Sequence, residues 1–157
     1  MTLLDNHNLN DMLPSNYVAY KDGYIASDAV AITFDIDWAP DWCIQLCYDL
    51  CKSVDCQATF FATHDSPVIH AIENDEMFEV GIHPNFAHGS TQGSNYDEIL
   101  KYCTEMFPGA KSIRTYRLEQ STTLYMELSR TYPEIQNDVS ILCPHQDFMI
   151  FDMDMLF

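Results

Sequence analysis

Two aspartates and a histidine stand in this sequence where they could hold a divalent cation. Asp35 and Asp37 end an apolar, β-branched run that begins near Ala31. In an extended strand, residues two apart point to the same face, so the two carboxylates would project side by side. Two carboxylates at such a short distance repel each other unless a cation or a shared proton lies between them. His83 follows a second strand-like run, residues 78–82, and would add an imidazole. The pattern indicates a metal site at strand ends.

The elements that must position these residues alternate between strand and helix. Strands are predicted at residues 29–36, 57–63, 78–82, 112–115 and 139–143, and helices at 41–54, 67–74, 95–107 and 121–132. This order is typical of an α/β fold whose parallel strands are joined by right-handed crossovers. Catalytic residues of such folds collect at the carboxyl ends of the strands, in closed barrels and open sheets alike. The polar residues at or just past such ends are Asp35, Asp37, His64, His83 and Arg114.

Two of the predicted helices carry expectations about particular side chains. The helix at 41–54 is expected to bury its apolar residues, which are Trp42, Ile44, Leu46, Cys47, Leu50 and Cys51. Ser94 is expected to cap the helix at 95–107, with Asp97 three residues further on. Trp38 and Trp42 could together form an aromatic platform at the site, although the helical spacing of Trp42 favours the core.

Composition bounds the class of protein. The chain has 157 residues, of which 47% are hydrophobic and 20% charged, enough for one globular domain with one core. Seven basic and 24 acidic side chains give a formal charge of −17, which argues against a nucleic-acid partner. No stretch reaches the roughly 20 apolar residues of a membrane span. The N-terminal residues lack a basic leader and an apolar signal core, so we expect a cytoplasmic protein with reduced cysteines.

The order of four short motifs resembles a known enzyme family. Thr-Phe-Asp at 33–35, Ala-Thr-Phe-Phe at 58–61, Gly-Ile-His-Pro-Asn-Phe at 81–86 and Ser-Ile-Arg at 112–114 follow one another. Together they resemble the polysaccharide deacetylases of carbohydrate esterase family 4, in a divergent, WbmS-like branch of the NodB-homology group. The resemblance implies a distorted parallel (β/α) barrel, which we expect to be incomplete in this chain. It also implies a divalent metal ion, usually zinc, and hydrolysis of an acetyl group from a sugar.

The resemblance gives each motif residue a role. Asp35 matches the catalytic base, and Arg114 matches the arginine that orients it. Asp37 and His83 match two metal ligands, although the family's two aspartates are usually adjacent. His88 is the candidate for the second histidine ligand, although four residues separate it from His83 where the family usually has three.

Three further residues mark alternatives or departures from the family pattern. Asn85 could supply an oxygen ligand or a hydrogen bond in place of a second imidazole. Tyr116 stands where the branch carries a histidine, and a tyrosine there is a poor substitute for a ligand. His145 is the candidate for a late histidine acting as general acid.

The sequence therefore predicts a zinc-dependent deacetylase acting on an acetylated amino sugar or a surface-polysaccharide precursor. A catalytically silent relative that binds a glycan or a protein partner is the alternative. A hydrolase of phosphoesters is a third hypothesis, which the scarcity of basic residues disfavours. The catalytic domain is predicted at 28–157, after an irregular lead-in at 1–27. An incomplete barrel would expose sheet edges, which homo-oligomerisation could cover.

Overall fold

The structure is a computed structural model that describes residues 20–21, 24–25 and 32–140 of the chain. A short antiparallel pair, β1 (Tyr20–Lys21) and β2 (Tyr24–Ile25), lies inside the segment predicted to be irregular. The main sheet contains β3 (Thr33–Asp35), β4 (Ala58–Ala62), β5 (Phe78–Ile82), β6 (Ser112–Ile113) and β7 (Asn137–Asp138). The last strand therefore comes two residues before the predicted strand at 139–143, of which 141–143 lie outside the described residues.

Four helices separate the strands of the main sheet. They are α1 (Asp41–Ser53), α2 (Pro67–Glu73), α3 (Tyr96–Met106) and α4 (Thr122–Thr131), with a 3-10 turn at Tyr116–Leu118. Each helix begins and ends within one residue of its predicted bounds, because Pro and capping residues mark the ends of these helices in the sequence. In the described part of the chain, no helix is long and apolar enough to cross a membrane.

The topology is that of a singly wound parallel sheet. All four pairings are parallel, and the strands follow one another in chain order from β3 to β7. Doubly wound sheets reverse their strand order at a switch point, whereas barrels keep it. Within residues 32–140 the sheet is open, with β3 and β7 at its edges. The predicted parallel α/β fold is confirmed, in the form of an unclosed barrel.

The two faces of the sheet differ in chemistry because side chains alternate along each strand. On one face, Phe60, Val80 and Ile82 pack into the hydrophobic core with the helices. The other face is polar and also buried. There the Glu79 carboxylate accepts hydrogen bonds from the Thr59 hydroxyl at 2.9 Å and the Ser112 hydroxyl at 2.6 Å. Burial raises the pKa of Glu79 despite these donors. The polar face is the one that leads to the predicted site.

The prediction that all the apolar residues of α1 are buried is wrong. Ile44 and Cys51 are buried against the sheet, but Trp42, Leu46 and Leu50 are 71%, 62% and 60% exposed. The helix carries two apolar stripes, one on each side, and only one can face the sheet. Trp42 was therefore wrongly predicted as a core residue.

The start of α3 is shifted by one residue from the prediction. Asn95, not Ser94, is the N-cap, and its side chain accepts a hydrogen bond from the Glu98 amide at 2.9 Å. The Glu98 carboxylate accepts in return from the Ser94 amide at 2.8 Å. The capping pair is therefore Asn95 with Glu98 in place of Ser94 with Asp97, since Asn caps as well as Ser and Glu is the usual partner.

Candidate active site

The carboxyl ends of β3, β5 and β6 bring together four of the five predicted site residues. Asp35 is the last residue of β3, while His83 and Arg114 directly follow β5 and β6. Ile82 pairs with Ile113 in the sheet, so the next residues along, His83 and Arg114, are neighbours. Asp37 reaches the same edge from the loop after β3. The site is thus assembled from separate parts of the sequence by the parallel register.

Asp37 does not project from a strand beside Asp35, as the sequence predicted. The chain leaves β3 after Asp35 and turns, with positive φ angles of 46° at Asp37 and 58° at Trp38. The amide of Trp38 donates to the Thr63 hydroxyl at 3.0 Å, which ties the turn to the end of β4. Left-handed backbone at two consecutive non-glycine residues is uncommon and recurs at functional sites. The turn brings the Asp37 carboxylate to His83.

The His83 ring is held in one orientation by a backbone carbonyl. Its Nδ1 atom donates to the carbonyl oxygen of Arg114, and because a carbonyl can only accept, Nδ1 carries the proton. The other ring nitrogen, Nε2, lies 3.4 Å from Oδ1 of Asp37. The His83 side chain is 3% exposed, whereas that of Asp37 is 57% exposed. The unprotonated Nε2 of a rigid, buried histidine therefore faces an accessible carboxylate.

This pair fits two neighbouring ligands of a zinc ion. Zinc binds nitrogen and oxygen ligands at ~2.0–2.1 Å in tetrahedral geometry, which puts two ligand atoms roughly 3.3 Å apart. The 3.4 Å between His83 and Asp37 matches that separation. A metal-bound histidine usually donates its other N–H to a carbonyl or a carboxylate, as His83 does to Arg114. The spacing and orientation of the pair are thus compatible with two ligands of a divalent ion.

The third predicted ligand, His88, does not join this pair. It is an exposed residue in the turn at 87–89 of the loop after β5. Among residues 32–140, no three His, Cys, Asp or Glu side chains gather closely enough to hold a metal ion. His145 lies outside the described residues.

Arg114 connects the predicted base to the rest of the site. Its Nη1 donates to Oδ1 of Asp35 at 3.1 Å and to the Thr33 hydroxyl at 3.0 Å. Its Nε donates to the carbonyl of Val139 at 3.3 Å. The guanidinium lies over the ring of Phe61, with Cζ 4.8 Å from the ring centroid. Bonds on several sides fix the guanidinium, and with it one oxygen of Asp35.

Two aromatic residues form a rim beside His83. The Tyr116 ring makes edge contacts with the rings of His83 and Trp38, at centroid distances of 6.0 and 5.9 Å. Trp38 is 39% exposed at this rim, and its use as an aromatic platform stays a prediction. The Nδ1 of His64 lies 3.0 Å from the Thr63 hydroxyl, which is the group that accepts from the Trp38 amide.

Gln92 is a buried part of the site that the sequence analysis missed. Its Oε1 accepts from the backbone amide of Asn85 at 2.6 Å, and its Nε2 donates to the backbone carbonyl of Thr63 at 2.8 Å. A longer contact of 3.4 Å joins Nε2 to the carbonyl of His83. Gln92 thereby fastens the 84–93 loop to the ends of β4 and β5. A glutamine in a Gly- and Ser-containing loop gives no sequence signal of such burial.

Comparisons with known proteins agree with the motifs. A family model described as WbmS-like polysaccharide deacetylase matches residues 32–155. A crystal structure of WbmS from Bordetella bronchiseptica, a proposed polysaccharide deacetylase involved in O-antigen biosynthesis, is 35% identical with a TM-score of 0.64. The match covers 74% of this chain and 48% of that one, so this chain spans about half the length of that protein. No curated protein matches the chain.

Proposed function

This chain belongs to the WbmS-like polysaccharide deacetylase family, and from that premise we propose that it removes an acetyl group from an amino sugar of a surface-polysaccharide precursor. The observation that carries the proposal is the pairing of two arrangements at one sheet edge. Asp37 faces the oriented Nε2 of His83, and Asp35 is held by Arg114. Hydrolysis of an acetamide needs a positioned water, a base and a stabilised oxyanion, and these residues suit those tasks.

In the proposed reaction, Asp35 accepts a proton from the attacking water. Arg114 engages Oδ1, which leaves Oδ2 to take that proton. The water oxygen bonds to the acyl carbon, the proton held by Asp35 passes to the nitrogen as the C–N bond breaks, and acetate and a free amine leave. Trp38 and Tyr116 offer the sugar an aromatic surface beside His83.

Asp37 and His83 would hold a divalent ion, for which zinc is our proposal, and His88 is the proposed third ligand. Such an ion, when bound, lowers the pKa of a coordinated water and polarises the acyl carbonyl. His88 would have to approach from the exposed turn at 87–89. The pair already in place is preorganised by the Arg114 carbonyl, which supports Asp37 and His83 more strongly than His88.

The experiment combines elemental analysis with acetate release from N- and O-acetylated amino sugars. We expect about one zinc ion per wild-type chain, retained in Asp35→Asn and lost in His83→Ala. The wild type should release acetate, and so should the control variant, whereas Asp35→Asn and His83→Ala should not. His70→Ala is the matched control, because His70 is a half-exposed histidine of α2 paired with Asp65 and Glu73. Full acetate release by Asp35→Asn would show that Asp35 is not the base.

A second candidate function follows from the incomplete ligand set. Among the described residues, two of the three proposed ligands, Asp37 and His83, lie together, and no group of three is found. If the wild type takes up no zinc even when zinc is added, the chain is better described as a silent scaffold. Binding of acetylated glycans without acetate release would then be the expected activity.

A further inference from the structure

We propose that Phe61, seated on Gly81, is a positioning residue that holds the Arg114 guanidinium against Asp35. The inference rests on the proposed function, in which Asp35 is the catalytic base. It extends that function from the strand-end residues to a second layer beneath them, whose two residues belong to the quoted motifs but carry no role there. The platform is defined as the Phe61 ring and the Gly81 backbone under it.

The Gly81 position has no room for any side chain. Phe61 and Gly81 are register partners on β4 and β5. A Cβ atom at Gly81 would lie 2.7 Å from Cδ1 and Cε1 of Phe61 and 2.9 Å from the Ser112 carbonyl oxygen. Both distances are shorter than real contacts. Glycine at this position is therefore what allows the Phe61 ring to lie across β5.

The Phe61 ring in turn supports the arginine. Arg114 follows β6 and must cross β5 and β4 to reach Asp35 at the end of β3. Along that path its Cζ lies 4.8 Å from the centroid of the Phe61 ring. A guanidinium over an aromatic face keeps its N–H groups free to donate in its own plane. Those N–H groups bind Thr33, Asp35 and Val139.

Phe61 is distinct from the aromatic core of the sheet. Phe60, one residue earlier, stacks on Phe34 at a centroid distance of 4.8 Å and belongs to the core that packs against the helices. Phe61 is fully buried but lies on the opposite, polar face, because strand side chains alternate. A phenylalanine among threonines, a glutamate and a serine is better explained by the cation above it than by core packing.

The test uses the side-chain Nε–H resonances of arginine in a ¹H–¹⁵N NMR spectrum. The chain has only three arginines, at 114, 117 and 130, so the variants Arg117→Lys and Arg130→Lys assign the Arg114 signal. The Arg117 guanidinium itself lies over the Tyr116 ring, with Cζ 5.3 Å from the centroid, so Arg130 is the reference. In the wild type we expect the Arg114 signal to be displaced from the Arg130 signal by the ring current of Phe61. A wild-type Arg114 signal at the position of the Arg130 signal would overturn the proposal without any core variant.

Two variants and a matched control complete the test. Phe61→Met keeps an apolar side chain of similar size without the ring, and Phe60→Met makes the same change on the other face. We expect Phe61→Met, and also Gly81→Ala, to shift the Arg114 signal, while Phe60→Met leaves it in place. Equal shifts in both methionine variants, or none in either, would refute a specific platform.

Turnover supplies a second arm where the wild type releases acetate. Phe61→Met should then lower kcat on the order of 10- to 100-fold with little change in KM, because the base is misplaced and the sugar surface is intact. An unchanged kcat beside a shifted Arg114 signal would show that the platform does not serve catalysis. A wild type without acetate release would refute the proposed function, while the NMR result would still decide whether Phe61 positions Arg114.

Discussion

His83 presents Nε2 to Oδ1 of Asp37 at 3.4 Å, with the ring already fixed from behind by a backbone carbonyl. The buried partner is rigid and the exposed partner lies on a turn, so the two sides of the pair contribute differently. The histidine sets the geometry, and the aspartate can adjust to a bound ion. This asymmetry is the basis for ranking the ligands.

Zinc affinity should fall more when His83 or Asp37 is removed than when His88 is removed. We expect His83→Ala and Asp37→Ala to lose at least about 100-fold in affinity, since removal of an outer-shell partner alone typically costs 10- to 100-fold. His88→Ala should lose about tenfold or less, because the structure leaves that side chain exposed in its turn. Competition titration against a zinc-binding dye measures all three. An equal loss in His88→Ala would establish it as a full ligand.

Arg114→Lys should separate the two roles of Arg114. The ammonium of lysine cannot reproduce the planar set of bonds to Thr33, Asp35 and Val139, so acetate release should fall roughly 100-fold. Zinc content should be unchanged, because the group that orients His83 is the backbone carbonyl of residue 114. Elemental analysis beside kinetics tests both statements, and loss of zinc in this variant would contradict the second.

Stability in acid should depend on Asp75. Hydrogen bonds from Lys52, Tyr48 and the Met77 amide lower the pKa of Asp75 from 3.8 to about 2. A carboxyl whose pKa is depressed by folding stabilises the protein above its unfolded pKa and loses that contribution as pH falls through the folded value. The wild type should therefore lose its advantage over Asp75→Asn between about pH 4 and pH 2.

Urea unfolding at several pH values measures this difference. Asp49→Asn is the control, because Asp49 accepts a hydrogen bond from the Gln45 side chain on the surface of α1. A gap between the wild type and Asp75→Asn that stays constant from pH 5 to pH 2 would exclude the lowered pKa as its source.

Gln92→Ala should destabilise the protein by about 1–3 kcal/mol, the cost of leaving buried partners without a hydrogen bond. The groups left unpaired are the Asn85 amide and the Thr63 carbonyl. Gln45→Ala, which removes an amide from the surface of α1, should change stability by less than about 0.5 kcal/mol. Urea unfolding compares the two variants, and similar small losses would mean that the loop is not fastened by Gln92.

The two apolar stripes of α1 should respond differently to truncation. Ile44→Ala should cost about 2–5 kcal/mol, because Ile44 is 2% exposed in the core. Leu46→Ala should cost less than about 0.5 kcal/mol, since Leu46 is 62% exposed. Thermal unfolding distinguishes them. A large loss in Leu46→Ala would mean that another surface covers this stripe in solution.

The helices and the site edge could be predicted from the sequence, for a physical reason. Pro40, Pro67 and Ser121 mark helix starts locally, and parallel strands bring their ends to one edge whatever lies between them. Which of two apolar helix stripes faces the sheet is a tertiary property, so Trp42 was wrongly predicted as buried. The left-handed turn at Asp37 and the burial of Gln92 also depend on contacts with distant residues.

The use of a main-chain oxygen to orient His83 has an evolutionary consequence. Any residue at position 114 supplies that oxygen as long as the strand register is kept, so mutation of its side chain cannot remove the anchor. The hold on Asp35, by contrast, depends on one side chain and can be lost in a single codon change. Substitution of Arg114 would thus remove the contact with Asp35 and leave the orientation of His83 intact. We therefore expect that relatives which bind an ion without turnover can arise by a single substitution.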